Sequence, residues 1–100
     1  MGFFYSVVRT RMSEPLAQCD CCDYFTIPDG SDYEICPVCF WEQDAFGIWE
    51  PYEPSGANHG LSLYDGRKNF LVFGACEEKF KANAIATPER EKYRYAARSI

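Results

Sequence analysis

Apolar and polar positions change period several times along this chain, and each change suggests an element. Phe3-Phe4-Tyr5-Ser6-Val7-Val8 is an aromatic and β-branched run suited to a strand, interrupted by Ser13-Glu14-Pro15. Asp23-Tyr24-Phe25-Thr26-Ile27 and Asp32-Tyr33-Glu34-Ile35 read as two short strands. The Pro28-Asp29-Gly30-Ser31 stretch between them has turn chemistry, so the two should form a hairpin with a cysteine pair at each far end. Residues 45–61, punctuated by Gly and Pro and carrying Trp49 and Tyr52, suit an ordered loop. Ser62-Leu63-Tyr64-Asp65 then resembles a capping box, and Leu63, Phe70 and Phe73 keep helical spacing, predicting a helix over 63–73 that Gly74 ends. A helical turn is expected around 75–80. Thr87-Pro88-Glu89 predicts the start of a last helix over about 88–97.

The cysteines give this framework a purpose. Cys19 and Cys22 form one CxxC pair, Cys36 and Cys39 a second, with thirteen residues between the pairs. Four thiolates on two such turns close a tetrahedral Zn²⁺ site and leave no position for water, so the expected cofactor is zinc in a structural role. Iron in a rubredoxin-like site uses the same ligands and remains the alternative metal. Cys21 competes with Cys22 for the ligand position, and Cys76 reads as a small buried hydrophobe. A redox dithiol at Cys36-Pro37-Val38-Cys39 would need a helix N-terminus in a βαβ setting, which the pattern does not offer.

Length and composition bound the rest. One hundred residues, 47% apolar and 17% aromatic, make a single domain with a core of its own. Within it, 19–44 is the ribbon, 45–61 the loop and 62–98 the helical part. No apolar run approaches a membrane span, and the N-terminal run is too short for a secretory signal, so the six cysteines are expected in a cytoplasmic setting as metal ligands.

Charge then separates the function classes. From Met12 to Gly66 there are eleven acids and no Lys or Arg, whereas eight bases face four acids from Arg67 onward. Nucleic-acid binding needs a basic face, so a phosphate partner for the ribbon is disfavoured. Lys79, Lys81, Arg90, Lys92, Arg94 and Arg98 would be the bases to touch one. His59, the only histidine, is a candidate general base with no orienting partner visible in the sequence.

Tyr33-Glu34-Ile35-Cys36-Pro37-Val38-Cys39-Phe40-Trp41-Glu42, then Gly56-Ala57-Asn58, Ser62-Leu63 and Asn69-Phe70-Leu71-Val72-Phe73-Gly74-Ala75-Cys76 resemble the cysteine-rich CPCC family of small, mostly bacterial proteins. Asp20 stands where that family has Pro, and Asp23 where Gly is usual. The resemblance implies a zinc-ribbon-like fold and assigns no enzyme. The resulting expectation is a small α+β domain, a zinc-ribbon β-hairpin with two or three short helices packed against it. It would act as a non-enzymatic binding module of the immunity or antitoxin type, taking a basic toxin as protein partner. Trp41, Glu42, Asp44, Trp49 and Tyr52 are the candidate contacts, because aromatics dominate binding energy and acids steer a basic partner. A nucleic-acid-associated ribbon is the alternative.

Overall fold

A computed structural model describes residues 15–29, 32–85 and 87–100. The strand expected at Phe3–Val8 and the Gly30-Ser31 part of the expected turn lie outside them. In chain order come strand β1 (Leu16–Gln18), strand β2 (Phe25–Pro28), 3₁₀ turns at Gly47–Trp49 and Gly56–Asn58, helix α1 (Leu63–Phe73), a 3₁₀ turn at Glu78–Phe80 and the short helix α2 (Thr87–Arg90). The architecture is small α+β, as expected. Among the described residues no helix is long and apolar enough to cross a membrane.

The strand pairing differs from the expected hairpin. β2 pairs antiparallel with β1, Leu16 opposite Pro28 and Ala17 opposite Ile27, so the hairpin encloses the first cysteine pair. The second pair sits inside its own minimal hairpin, closed by the bridge between Ile35 and Glu42. The reason is local. Each CxxC loop is itself the turn: Cys19 N–H donates to Tyr24 O and Asp23 N–H to Cys19 O, and Cys36 N–H donates to Trp41 O and Phe40 N–H to Cys36 O. Asp32–Ile35 therefore pairs forward, with Gln43 and Glu34 continuing the exchange (Tyr33 N–H to Gln43 O, Gln43 N–H to Glu34 O).

Helix α1 follows its local code. Ser62 Oγ accepts from Asp65 N–H at the N-cap, and Gly74, at φ 74°, ends the helix with its N–H on Phe70 O. The last helix is shorter than expected. It stops at Arg90, and residues 94–96 run extended beside β2, with Phe25 N–H on Arg94 O and Ala96 N–H on Asp23 O. Sheet hydrogen bonds from Asp23 and Phe25 outweigh the helical propensity of this Arg- and Lys-rich stretch.

The core is built on sulfur. All six cysteines are buried, and among the described residues Ile27, Val38, Trp41 and Leu63 join them as the largest fully buried side chains. Trp41 reaches α1 where Gly66 leaves room; a Cβ there would lie 3.1 Å from Trp41 Cζ3 and 3.4 Å from Cys21 Sγ. Among the described residues these four make a small apolar core, and the cysteine cluster sits at its centre.

Candidate metal centre

The Sγ atoms of Cys19, Cys22, Cys36 and Cys39 all lie within 4.8 Å of one another, and all four residues are buried. Cys19 and Cys39 are 3.7 Å apart at sulfur, as are Cys22 and Cys36. A tetrahedron with metal–sulfur bonds of about 2.3 Å has edges of about 3.8 Å, so the donor set fits a tetrathiolate ion. Cys22, not Cys21, joins Cys19, Cys36 and Cys39 in the set of four. Cys21 is equally buried but lies outside the set of four and packs toward Gly66. Cys76 is also buried, which pushes its thiol up to about 12 and suits an inert apolar role.

The four thiols are not equivalent. Burial pushes Cys19, Cys22 and Cys39 up, toward the neutral form. The same burial acts on Cys36, but hydrogen bonds from Cys19, Cys22, Cys39 and Thr26 overcome it and bring its pKa down. Thr26 Oγ1 donates to Cys36 Sγ at 3.1 Å, and Val38 N–H donates to the same sulfur at 3.3 Å. Cys36 is thus the sulfur best prepared to carry charge. A bound cation would extend that to all four, because metal binding displaces thiol protons.

Charge around the first knuckle is managed by two arginines. Arg67 of α1 grips Asp23 with both nitrogens at 2.9 Å, and Arg98 adds its Nε and backbone N–H to the same carboxylate, each at 2.9 Å. Burial opposes ionisation of Asp23, yet these bonds hold its carboxyl below the ordinary carboxylate value. Arg67 also donates to the carbonyl of Asp20 and Arg98 to that of Cys19, so both guanidiniums face the loop that holds two thiolates. Asp20 is the exception: burial raises its pKa against the pull of Arg98 and Arg67. Its carboxylate occupies the space that a side chain at Gly47 would need, and its N–H reaches Gln43 Oε1 at 3.2 Å, so Asp20 docks the 45–61 loop.

The second knuckle is splinted by amides. Asn58 Oδ1 accepts from Glu42 N–H at 3.0 Å while its Nδ2 donates to Glu42 O at 2.9 Å, mimicking a neighbouring strand. Ser55 bridges Asn58 to Asp44, donating to Asp44 Oδ2 at 2.6 Å. After α1, Asn69 Nδ2 holds the carbonyl of Cys76, whose N–H donates to Cys39 O at 2.8 Å. Gly56-Ala57-Asn58 and Asn69–Cys76, which carried the resemblance, are therefore the residues that fasten this knuckle.

A family model, Cysteine-rich CPCC, matches residues 17–92. The chain belongs to the cysteine-rich CPCC family. The matched stretch includes both CxxC knuckles, α1 and the Asn58 and Asn69 contacts, and stops before Arg94 and Arg98. No curated protein and no solved structure matches the chain.

The remaining candidates are placed as follows. Trp49 is 80% and Tyr52 68% exposed, whereas Trp41, counted with the surface aromatics from the sequence, is fully buried because its ring packs on Gly66. Glu42 and Asp44 are half-buried, Glu42 gripped through its backbone and Asp44 through its carboxylate. His59 does have a partner, the Glu77 carboxylate at its Nε2. Of the bases that could touch phosphate, Arg98 and Arg90 are partly buried, Arg98 on Asp23 and Arg90 over Phe70 at 4.9 Å, whereas Arg94 lies over Phe25 at 3.9 Å and stays exposed. Sequence reasoning missed Thr26, Asn58, Asn69 and Arg67. Arg67 had one visible signal, as the first base after the acidic stretch.

Proposed function

We propose that the chain is a zinc-stabilised, non-enzymatic protein-binding module of the immunity or antitoxin type, which neutralises a basic toxin domain in the cytoplasm. The observation that carries this reading is the stretch 12–66, with eleven acids and no Lys or Arg, which also exposes Tyr33, Phe46, Trp49 and Tyr52. Acids accelerate encounter with a basic partner, and exposed aromatics supply the short-range energy once it arrives. A four-thiolate site is coordinatively closed, which favours a structural metal over one that activates water. Zinc suits a fold that must hold its metal without redox chemistry, and elemental analysis should return one zinc and no iron per chain.

The test of the module reading is recovery of the chain from its native host, at native level and with its neighbouring genes intact. A stoichiometric complex with a basic protein, whose toxicity the chain suppresses, is expected. Recovery as a free monomer under those conditions would count decisively against it. The nucleic-acid reading is weakened because, of Arg90, Arg94 and Arg98, the first and last are committed to Phe70 and Asp23. A salt-dependent shift with DNA or RNA, lost on reversing those three charges, would revive it.

A further inference from the structure

Between the second knuckle and the 45–61 loop lies a cleft of about 380 Å³. Its chemistry is one-sided. Asp44, Glu50 and Glu53 line it, no base does, and Tyr33 and Phe46 present exposed rings at its walls. Asp44 is committed to Ser55 and Phe46 N–H. Among the described residues the carboxylates of Glu50 and Glu53 have no ion pair, so their charge is free for a ligand.

Trp41 forms the floor of the cleft, fully buried and with the Cε3–Cζ3 edge of its ring set against Gly66, so its indole reports on the cleft without being exposed in it.

A ligand matching the free carboxylates and the exposed rings is cationic and planar at one end. We infer that this cleft receives an arginine side chain presented by a protein partner, its guanidinium set between the aromatic walls and the Glu50 and Glu53 carboxylates. Arginine suits the site better than lysine because its flat fork both stacks on rings and pairs with carboxylates in two-point fashion. The chain uses the same stacking internally, with Arg94 over Phe25. This inference rests on the reading of the chain as a module for a basic partner and names what that partner must offer.

The probe is the capped tripeptide N-acetyl-Gly-Arg-Gly-amide, titrated into the full chain purified with its metal and followed by ¹⁵N NMR. The Trp41 indole resonance and the amides of Gly47 and Ser55 should move saturably, while the indole of Trp49 serves as an internal control. The same peptide with neutral citrulline in place of arginine should leave them unmoved. The exposed double substitution Glu50→Gln/Glu53→Gln should weaken binding about tenfold, equivalent to ~1.4 kcal/mol, without altering the metal content. Absent or uniform shifts, equal binding of the citrulline peptide, or undiminished binding by the double variant would each overturn the inference. The two readings fail separately. A toxin partner that binds the double variant as tightly as wild type removes the arginine cleft and leaves the module. Saturable binding of the arginine peptide, with no partner recoverable from the host, removes the module and leaves the cleft.

Discussion

The first knuckle, Cys19–Asp23, and the second, Cys36–Phe40, share one backbone pattern. In each, the first cysteine donates its N–H five residues ahead and accepts from the residue four ahead, and that residue has φ near 70° (Asp23 and Phe40). Their surroundings share little. The first is clamped by charge, through Arg67 and Arg98 on Asp23 and on the loop carbonyls. The second is clamped by neutral groups: Asn58 on Glu42, Thr26 and Val38 N–H on Cys36 Sγ, and Phe40 against Phe80 with ring centroids 4.8 Å apart. Ligand geometry is therefore set by a short local loop, while the means of holding that loop in place is interchangeable.

The largest effect should ignore this difference. Cys19→Ser and Cys36→Ser each break the tetrathiolate shell, and both variants should lose the metal together with the tertiary near-UV signal, since structural metal binding is worth on the order of 10 kcal/mol. A metal-free but fully folded Cys36→Ser protein would sink the account of a sulfur-built core.

The same substitution at the left-handed position should then separate the knuckles. Glycine relieves backbone strain of roughly 1 kcal/mol in both. Asp23→Gly also leaves the half-buried Arg67 guanidinium without its carboxylate and Arg98 with only Asp20 at 3.7 Å, a loss of about 3 kcal/mol, and should destabilise strongly in thermal unfolding. Phe40→Gly gives up one partly buried ring, about 2 kcal/mol, and should come out nearly balanced. Equal destabilisation would erase the distinction between a charged and an apolar clamp.

Asn58→Ala strands the backbone N–H and C=O of Glu42 and should cost about 2 kcal/mol, read by denaturant unfolding. Thr26→Val removes one donor from Cys36 and should weaken metal affinity about tenfold in a chelator competition. No matching side-chain donor reaches Cys19 or Cys22 among the described residues, so only the second knuckle should show this sensitivity.

The smallest effect is a shift with pH. Asp23 has a depressed folded-state pKa, so its contribution is complete above the ordinary carboxylate value near 4 and is lost as pH falls through the folded value. Protons also compete for the thiolates on acidification. Asp23→Asn should therefore release metal at a higher pH than wild type, measured by a zinc indicator, whereas Thr26→Val should leave the contribution of the arginine clamp intact.

The parts legible from sequence were those decided within a few residues. The four ligands follow from CxxC spacing, and α1 follows from Ser62, Asp65 and Gly74, each of which acts on its own helix end. The hairpin pairing is hidden because the turn is formed by the cysteine loop itself, whereas the Pro-Asp-Gly-Ser stretch has the chemistry of a conventional turn. The last helix was overextended because propensity is local, whereas the sheet partners of residues 94–96 lie some seventy residues earlier. Arg67 and Arg98 were hidden for the same reason: nothing near them in sequence announces Asp23. Trp41 looked like a surface aromatic until Gly66 supplied its slot.

The arginine clamp also implies an order of assembly. Arg98 meets Asp23 and Cys19 across 75 and 79 residues, while Asn58 meets Glu42 across only 16. Loop closure over the longer span costs about 1.4 kcal/mol more in chain entropy, so the second knuckle should organise first. Cys36 and Cys39 would then be in place before the first knuckle closes over them. In stopped-flow metal uptake, Asn58→Ala should slow the early phase and Arg98→Met the late one.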